Sequence, residues 1–134
     1  MTQEDRELLL KDLCARLPYG VKFASFSQSM KNHSEPVTLR QIYYHNEDDA
    51  NNIEGDNDIS TIIEFVKPYL RPMSSMTEDE IKDFFTVRRF EYDSDDKLIS
   101  KYGNDTDWLN AHHFDYRGLI EKGLALEAPE GMYK

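Results

Sequence analysis

The sequence predicts an α+β fold, with a small antiparallel sheet of two or three strands and about four helices packed as a single layer on one face. Three observations predict it. Residues 19–26 and 37–44 alternate apolar and polar side chains, the period of a half-buried strand. Elsewhere apolar residues recur three and four positions apart, the spacing of a buried helix face. No internal repeat, low-complexity tract or linker interrupts the 134 residues, so one domain over 1–134 is expected.

The first element is a helix over residues 3–17. Thr2 followed by Asp5 resembles a capping box with a shorter acid. Leu9, Leu10, Leu13, Cys14 and Leu17 make one apolar stripe, and Pro18 with Gly20 ends it. Cys14 lies on that stripe and reads as a small buried hydrophobe rather than a nucleophile. In the first strand Val21 and Phe23 share a face opposite Lys22. In the second, Val37, Leu39, Gln41 and Tyr43 oppose Thr38, Arg40, Ile42 and Tyr44. Residues 27–36 are polar and long for a tight hairpin, so an antiparallel pair with a loose loop is expected.

Residues 46–58 hold Glu47, Asp48, Asp49, Glu54, Asp56 and Asp58 with no basic residue, and read as a solvated acidic loop. A calcium loop centred on Gly55 would put Ala50 at its first ligand position and Thr61 at its last, so that register fails. Ile59, Ile62, Ile63, Val66 and Tyr69 then predict a helix over 59–67 behind Asp58, with a strand as the alternative because the run is β-branched. Pro68 and Pro72 hold Tyr69-Leu70-Arg71 extended.

The sharpest local signal opens a helix over 78–86. Thr77 caps it, Glu80 completes the capping box, and Met76 with Ile81 forms a hydrophobic staple. Ile81, Phe84 and Phe85 are its expected buried face. Residues 86–92 could prolong the helix or turn into a strand, and residues 93–96 break whichever forms. Asn104 or Asp105 caps a helix over 106–113 carrying Trp108, Leu109 and His112. A helical turn near 117–122 stops at Gly123, residues 124–127 can form a last strand, and 128–134 form a tail.

Charge and motifs narrow the function classes. The formal net charge is −10, from 26 acidic and 16 basic residues. Such a surface repels phosphate and anionic lipid, which argues against general nucleic-acid or membrane binding. No apolar run approaches the roughly 20 residues that cross a bilayer. The charged start, Met1 to Arg6, lacks the features of a signal peptide, so a cytoplasmic location is expected. A single cysteine excludes an internal disulfide and a cysteine-based zinc site. Glycine-rich phosphate loops, the Gly-x-Ser-x-Gly elbow and His-Glu-x-x-His are all missing, and no cofactor or metal is implied.

One stretch is dense in chemistry: Asp107-Trp108-Leu109-Asn110-Ala111-His112-His113-Phe114-Asp115-Tyr116-Arg117. Histidine beside carboxylate is the usual general-base pairing, and neutral imidazole is a metal ligand. Adjacent residues on a helix point about 100° apart, so His112 and His113 cannot readily chelate one ion; a ligand such as His33 or His45 would have to join them. Imidazoles near a helix end also have a plain structural role. Trp108 with Leu109 reads as core. Arg71 and Arg117 each lie near a tyrosine and could stack on a ring or bind a carboxylate. The candidate binding residues are Tyr69, Arg71, Trp108, His112, His113, Asp115, Tyr116 and Arg117. The expected function is a non-enzymatic binding or accessory protein that contacts a protein partner. The alternative is a small enzyme or metal protein using His112 or His113 with Asp107 or Asp115.

Two phrases carry a resemblance. Residues 68–80 (PYLRPMSSMTEDE) and 107–133 (DWLNAHHFDYRGLIEKGLALEAPEGMY) resemble a group of small, uncharacterised acidic proteins encoded by gut Bacteroidales and their phages or prophages. The likeness covers mainly the C-terminal half. It implies a phage or mobile-element accessory protein and brings no activity or site residue with it.

Overall fold

The computed structural model describes residues 1–29, 31–44, 51–89 and 105–133. Helix α1 (Gln3–Arg16) starts where Thr2, in extended backbone, accepts the Asp5 amide on its hydroxyl at 3.0 Å. Its inward face is Leu9, Asp12, Leu13 and Arg16. Leu10 and Leu17 border that face half-buried, and Cys14 is exposed, not buried as its place in the stripe suggested. The reason is rotation: Leu9, Leu13 and Arg16 stand at i, i+4 and i+7, and Cys14 lies about 100° round from Leu13.

Six strands form one sheet: β1 (Lys22–Ser25), β2 (Val37–Tyr44), β3 (Asn51–Gly55), β4 (Ser60–Ile62), β5 (Val66–Leu70) and β6 (Leu126–Glu127). Their spatial order is β4-β3-β2-β1-β5-β6. β1 and β2 pair antiparallel as the alternation predicts, with Lys22 opposite Thr38 and Phe23 opposite Val37. The rest of the expected architecture is overturned. The sheet has six strands rather than two or three, and it is mixed, because β6 runs parallel to β5. Among the described residues three α-helices are present rather than four: α1, α2 (Glu78–Arg89) and α3 (Asp105–Ala111). The protein is sheet-rich.

The correction centres on residues 51–70. The helix expected over 59–67 is instead β4, a single helical turn at Ile63–Phe65, and β5. That turn sets Ile62, Ile63 and Val66 at spacings that imitate a longer helix, and the β-branched alternative wins. The acidic stretch is not all loop. Asn51–Gly55 is β3, held between β2 and β4, with Ile53 fully buried. Asn57 and Asp58 turn the chain with φ of 59° and 58°, a region that these two residue types tolerate. Gly55 owes its identity to packing rather than to an ion. A Cβ there would meet Val37 Cγ2 at 2.8 Å and the Phe23 ring at 3.0 Å. Residues 46–50 and the break expected at 93–96 lie outside the described residues, as do Asn104 and His45.

Helix α2 opens as its capping box predicts. The Glu80 amide donates to Thr77 Oγ1 at 3.2 Å, and the Thr77 amide donates to Glu80 Oε1 at 3.0 Å. Ile81, expected in the buried face, is 40% exposed. Met76 packs with Phe84 against a second core cluster of Trp108, Leu109 and Phe114. The main cluster lies between α1 and the sheet, around Leu9, Leu13, Val21, Phe23, Ile53 and Leu70. Helix α3 stops at Ala111, two residues short of the expected end, because His113 takes φ 63° and leaves the helical path.

Candidate functional site: a cleft shared by the 71–80 and 127–133 segments

The two chemically dense stretches meet in space. Where β5 leaves the sheet, the Arg71 amide donates to the His113 carbonyl at 2.8 Å. The Asp115 amide returns a bond to the Arg71 carbonyl at the same distance, so Arg71 and Phe114 form a parallel bridge. Farther on, the Ala128 amide donates to the Leu70 carbonyl at 2.8 Å and carries the chain past β6 into the last segment. The expected tail is therefore a built wall. Tyr133 closes it: its hydroxyl accepts the Lys22 amide at 2.8 Å and donates to the Tyr69 carbonyl at 2.7 Å. Its ring stacks on His113, with centroids 3.8 Å apart.

Two adjoining cavities lie along this wall. The larger, about 520 Å³, is lined by the 71–77 turn, Glu80 and the 127–133 segment. The smaller, about 330 Å³, is lined by Tyr19, Lys22, His112 and His113. Arg71, Glu80 and Tyr133 border both, so the two lie side by side along these residues, and the pair is termed the cleft. Each part falls in the range of about 300–1,000 Å³ that ligand sites occupy.

The charges divide along the cleft. At the centre Arg71 grips Glu80 through two bonds of 2.6 Å and lies over the Phe114 ring at 4.2 Å. That guanidinium, with the Thr77 bonds, draws the Glu80 carboxyl down to about 2. The central pair is thus internally neutralised. On the larger side Glu127 and Glu130 are exposed and, among the described residues, make no ion pair or side-chain hydrogen bond. On the smaller side Lys22 Nζ donates to Thr38 Oγ1 at 3.2 Å, which leaves two ammonium hydrogens for a ligand.

The histidines are neutral at pH 7. Burial, then the nearby charges of Arg16, His112 and Arg71, pushes His113 down to about 4. Its Nδ1 is buried without a hydrogen-bond partner. Burial also lowers His112, which packs on Trp108 with ring centroids 4.1 Å apart.

Of the eight candidate residues, Arg71, His112 and His113 line the cleft. The others support it. Tyr69 is buried on β5 and offers its carbonyl to Tyr133. Trp108 is fully buried and donates its indole N–H to Asp83 at 2.9 Å. The Asp115 carboxylate accepts the amides of Leu119 and Ile120 at 2.8 and 2.9 Å. Tyr116 donates to Asn110, and Arg117 lies over the Tyr116 ring at 4.6 Å while donating to Asp12. For Arg71 and Arg117, ring stacking and carboxylate binding, weighed as alternatives, occur together.

Sequence reasoning missed Lys22, Glu127, Glu130 and Tyr133. An aromatic residue inside a Pro- and Gly-bounded terminal segment was the one available signal, since a disordered tail has no use for it. It also missed the buried pair beneath the site. Arg16 is fully buried, donates to Asp12 at 2.8 Å and to the Phe114 carbonyl at 2.6 Å, and so ties α1 to the cleft.

Among the described residues, no group of three His, Cys, Asp or Glu side chains is placed to hold a metal ion. No helix there is long and apolar enough to cross a membrane. No family model matches the chain, and neither a curated protein nor a solved structure is significantly similar to it.

Proposed function

We propose that this is a non-enzymatic binding protein of the phage or mobile-element accessory kind, acting in the cytoplasm, whose cleft takes a basic segment of a protein partner. The observation that carries the reading is the charge state of the cleft. Its central cation and anion neutralise each other, and Glu127 and Glu130 are exposed carboxylates without a partner among the described residues. A lysine or arginine side chain supplies the missing charge at that end. The net charge of −10 steers a basic partner and disfavours nucleic acid. The two phrases that resemble Bacteroidales phage proteins, 68–80 and 107–133, supply most of the cleft lining.

The geometry gives less support to catalysis. The Asp115 carboxylate already caps two backbone amides. Among the described residues, neither His112 nor His113 shares a hydrogen bond with a carboxylate that would orient it as a base.

The test is a titration of ¹⁵N-labelled protein with a short amidated peptide holding lysine and arginine between glycine-serine flanks. Shift changes confined to residues 71–77 and 127–133, weakened by Glu127→Gln with Glu130→Gln and lacking for an acidic peptide, are the expected result. Perturbations confined to the β3–β4 turn, or insensitive to that double substitution, would sink the reading.

A further inference from the structure

The cleft is dipolar along its length, and this specifies its ligand further than a basic side chain alone. The larger cavity is lined by Glu127 and Glu130, whose side chains have no partner among the described residues. The smaller is lined by Lys22, whose ammonium among the described residues donates to Thr38 alone, and by His112, whose neutral ring can donate one N–H. Among the described residues, Glu80 is the one carboxylate that borders the smaller cavity, and it is held by Arg71. A ligand that is only basic leaves the Lys22 end unmatched. One that is only acidic meets Glu127 and Glu130.

We infer that the cleft reads a protein C-terminus ending in a basic residue, with the terminal carboxylate at Lys22 and His112 and the basic side chain at Glu127 and Glu130. The inference rests on the basic-segment reading above. In such a terminus both charges spring from one Cα. One side chain sets the largest distance between them, and only that side chain has to be ordered on binding. The internally neutralised Arg71–Glu80 pair and Tyr133 border both cavities, so a ligand that spans the two would pass these residues without meeting an unmatched charge. The wall itself is fixed, because Tyr133 bonds to both β1 and β5 backbones. The two charged ends are therefore presented in a set relation before any ligand arrives.

The test compares two peptides by fluorescence anisotropy. They are identical and end in arginine, one with a free carboxylate and one amidated. A charge-assisted contact predicts that the free acid binds about tenfold more tightly or better. Lys22→Met brings the free acid down to the amide's level, and Lys22→Arg keeps the preference. Only the Lys22 side chain is changed, since its backbone amide is what Tyr133 holds. Glu127→Gln with Glu130→Gln weakens both peptides alike. Equal affinity for acid and amide overturns the inference and leaves the basic-segment reading standing. So does a preference that survives Lys22→Met, or equal binding of an amidated peptide whose arginine is followed by glutamate. Failure of both peptides to bind overturns both readings.

Discussion

Asp12 shows how much one buried residue organises. Its two oxygens accept from Arg16 and from Arg117, each at 2.8 Å, and it has no exposed surface. Arg16 in turn reaches the Phe114 carbonyl, while its Nη1 stays buried without a partner. Removing one member of such a pair strands a buried charge. Asp12→Ala is expected to cost about 3–5 kcal/mol in urea denaturation, whereas replacing Asp12 and Arg16 together by leucine and methionine costs less than the two single changes summed. Additive losses would show that the pair is not coupled as the geometry requires.

At the scale of elements, α2 is the clearest case of local chemistry with a longer reach. Thr77 and Glu80 form a reciprocal cap, but Glu80 also receives Arg71 in two bonds. Thr77→Ala removes a cap alone and is expected to cost about 1 kcal/mol. Glu80→Ala removes the cap's second half and releases Arg71 over Phe114, so its loss by the same denaturation assay is expected to exceed that of Thr77→Ala. An equal or smaller loss for Glu80→Ala would mean that the ion pair adds nothing. The parallel addition of β6 to β5 has the same character. Two residues, Leu126 and Glu127, complete a sheet begun more than a hundred positions earlier and place Glu127 at the cleft.

For the whole molecule, pH is the natural probe. His113 titrates near 6.5 when unfolded and only at about 4 when folded. Between those values the unfolded chain binds more protons, so stability is full above about pH 6.5 and is lost as pH falls toward 4. Glu80, drawn from 4.5 to about 2, continues the loss in the same direction below pH 4.5. Thermal melts should therefore show a midpoint that drops between pH 6.5 and 4, and His113→Asn should flatten that part of the profile. Asparagine suits the test because it tolerates the positive φ found there. An unchanged slope would mean that His113 is not the group being titrated.

The sequence by itself determined those elements whose signals are local. Thr2 and Thr77 start helices because a hydroxyl three residues from a free amide caps it wherever the chain goes. Residues 22–25 and 37–44 were legible as strands from their alternation, but the faces were not: Phe23 and Ala24 are both buried, and a register shift between Leu39 and Gln41 turns Ile42 toward the core and leaves Tyr43 exposed. The extended run between Pro68 and Pro72 follows from the steric limits of proline. Tertiary structure decided what depends on partners distant in the chain. Residues 60–62 became strand because β3 offered them a ladder, and Val66 and Lys67 because β1 did, although their spacing also fitted a helix. Asp12 and Arg16, an ordinary surface pair by their spacing, are buried where Phe114 and Arg117, about a hundred residues away, supply further bonds. The site follows the same rule. His112, His113 and Arg71 were legible as candidates because their side chains are chemically conspicuous. Lys22, Glu127, Glu130 and Tyr133 were not, since a cleft is a property of which segments meet, and that is fixed only when β6 and Tyr133 dock on β5.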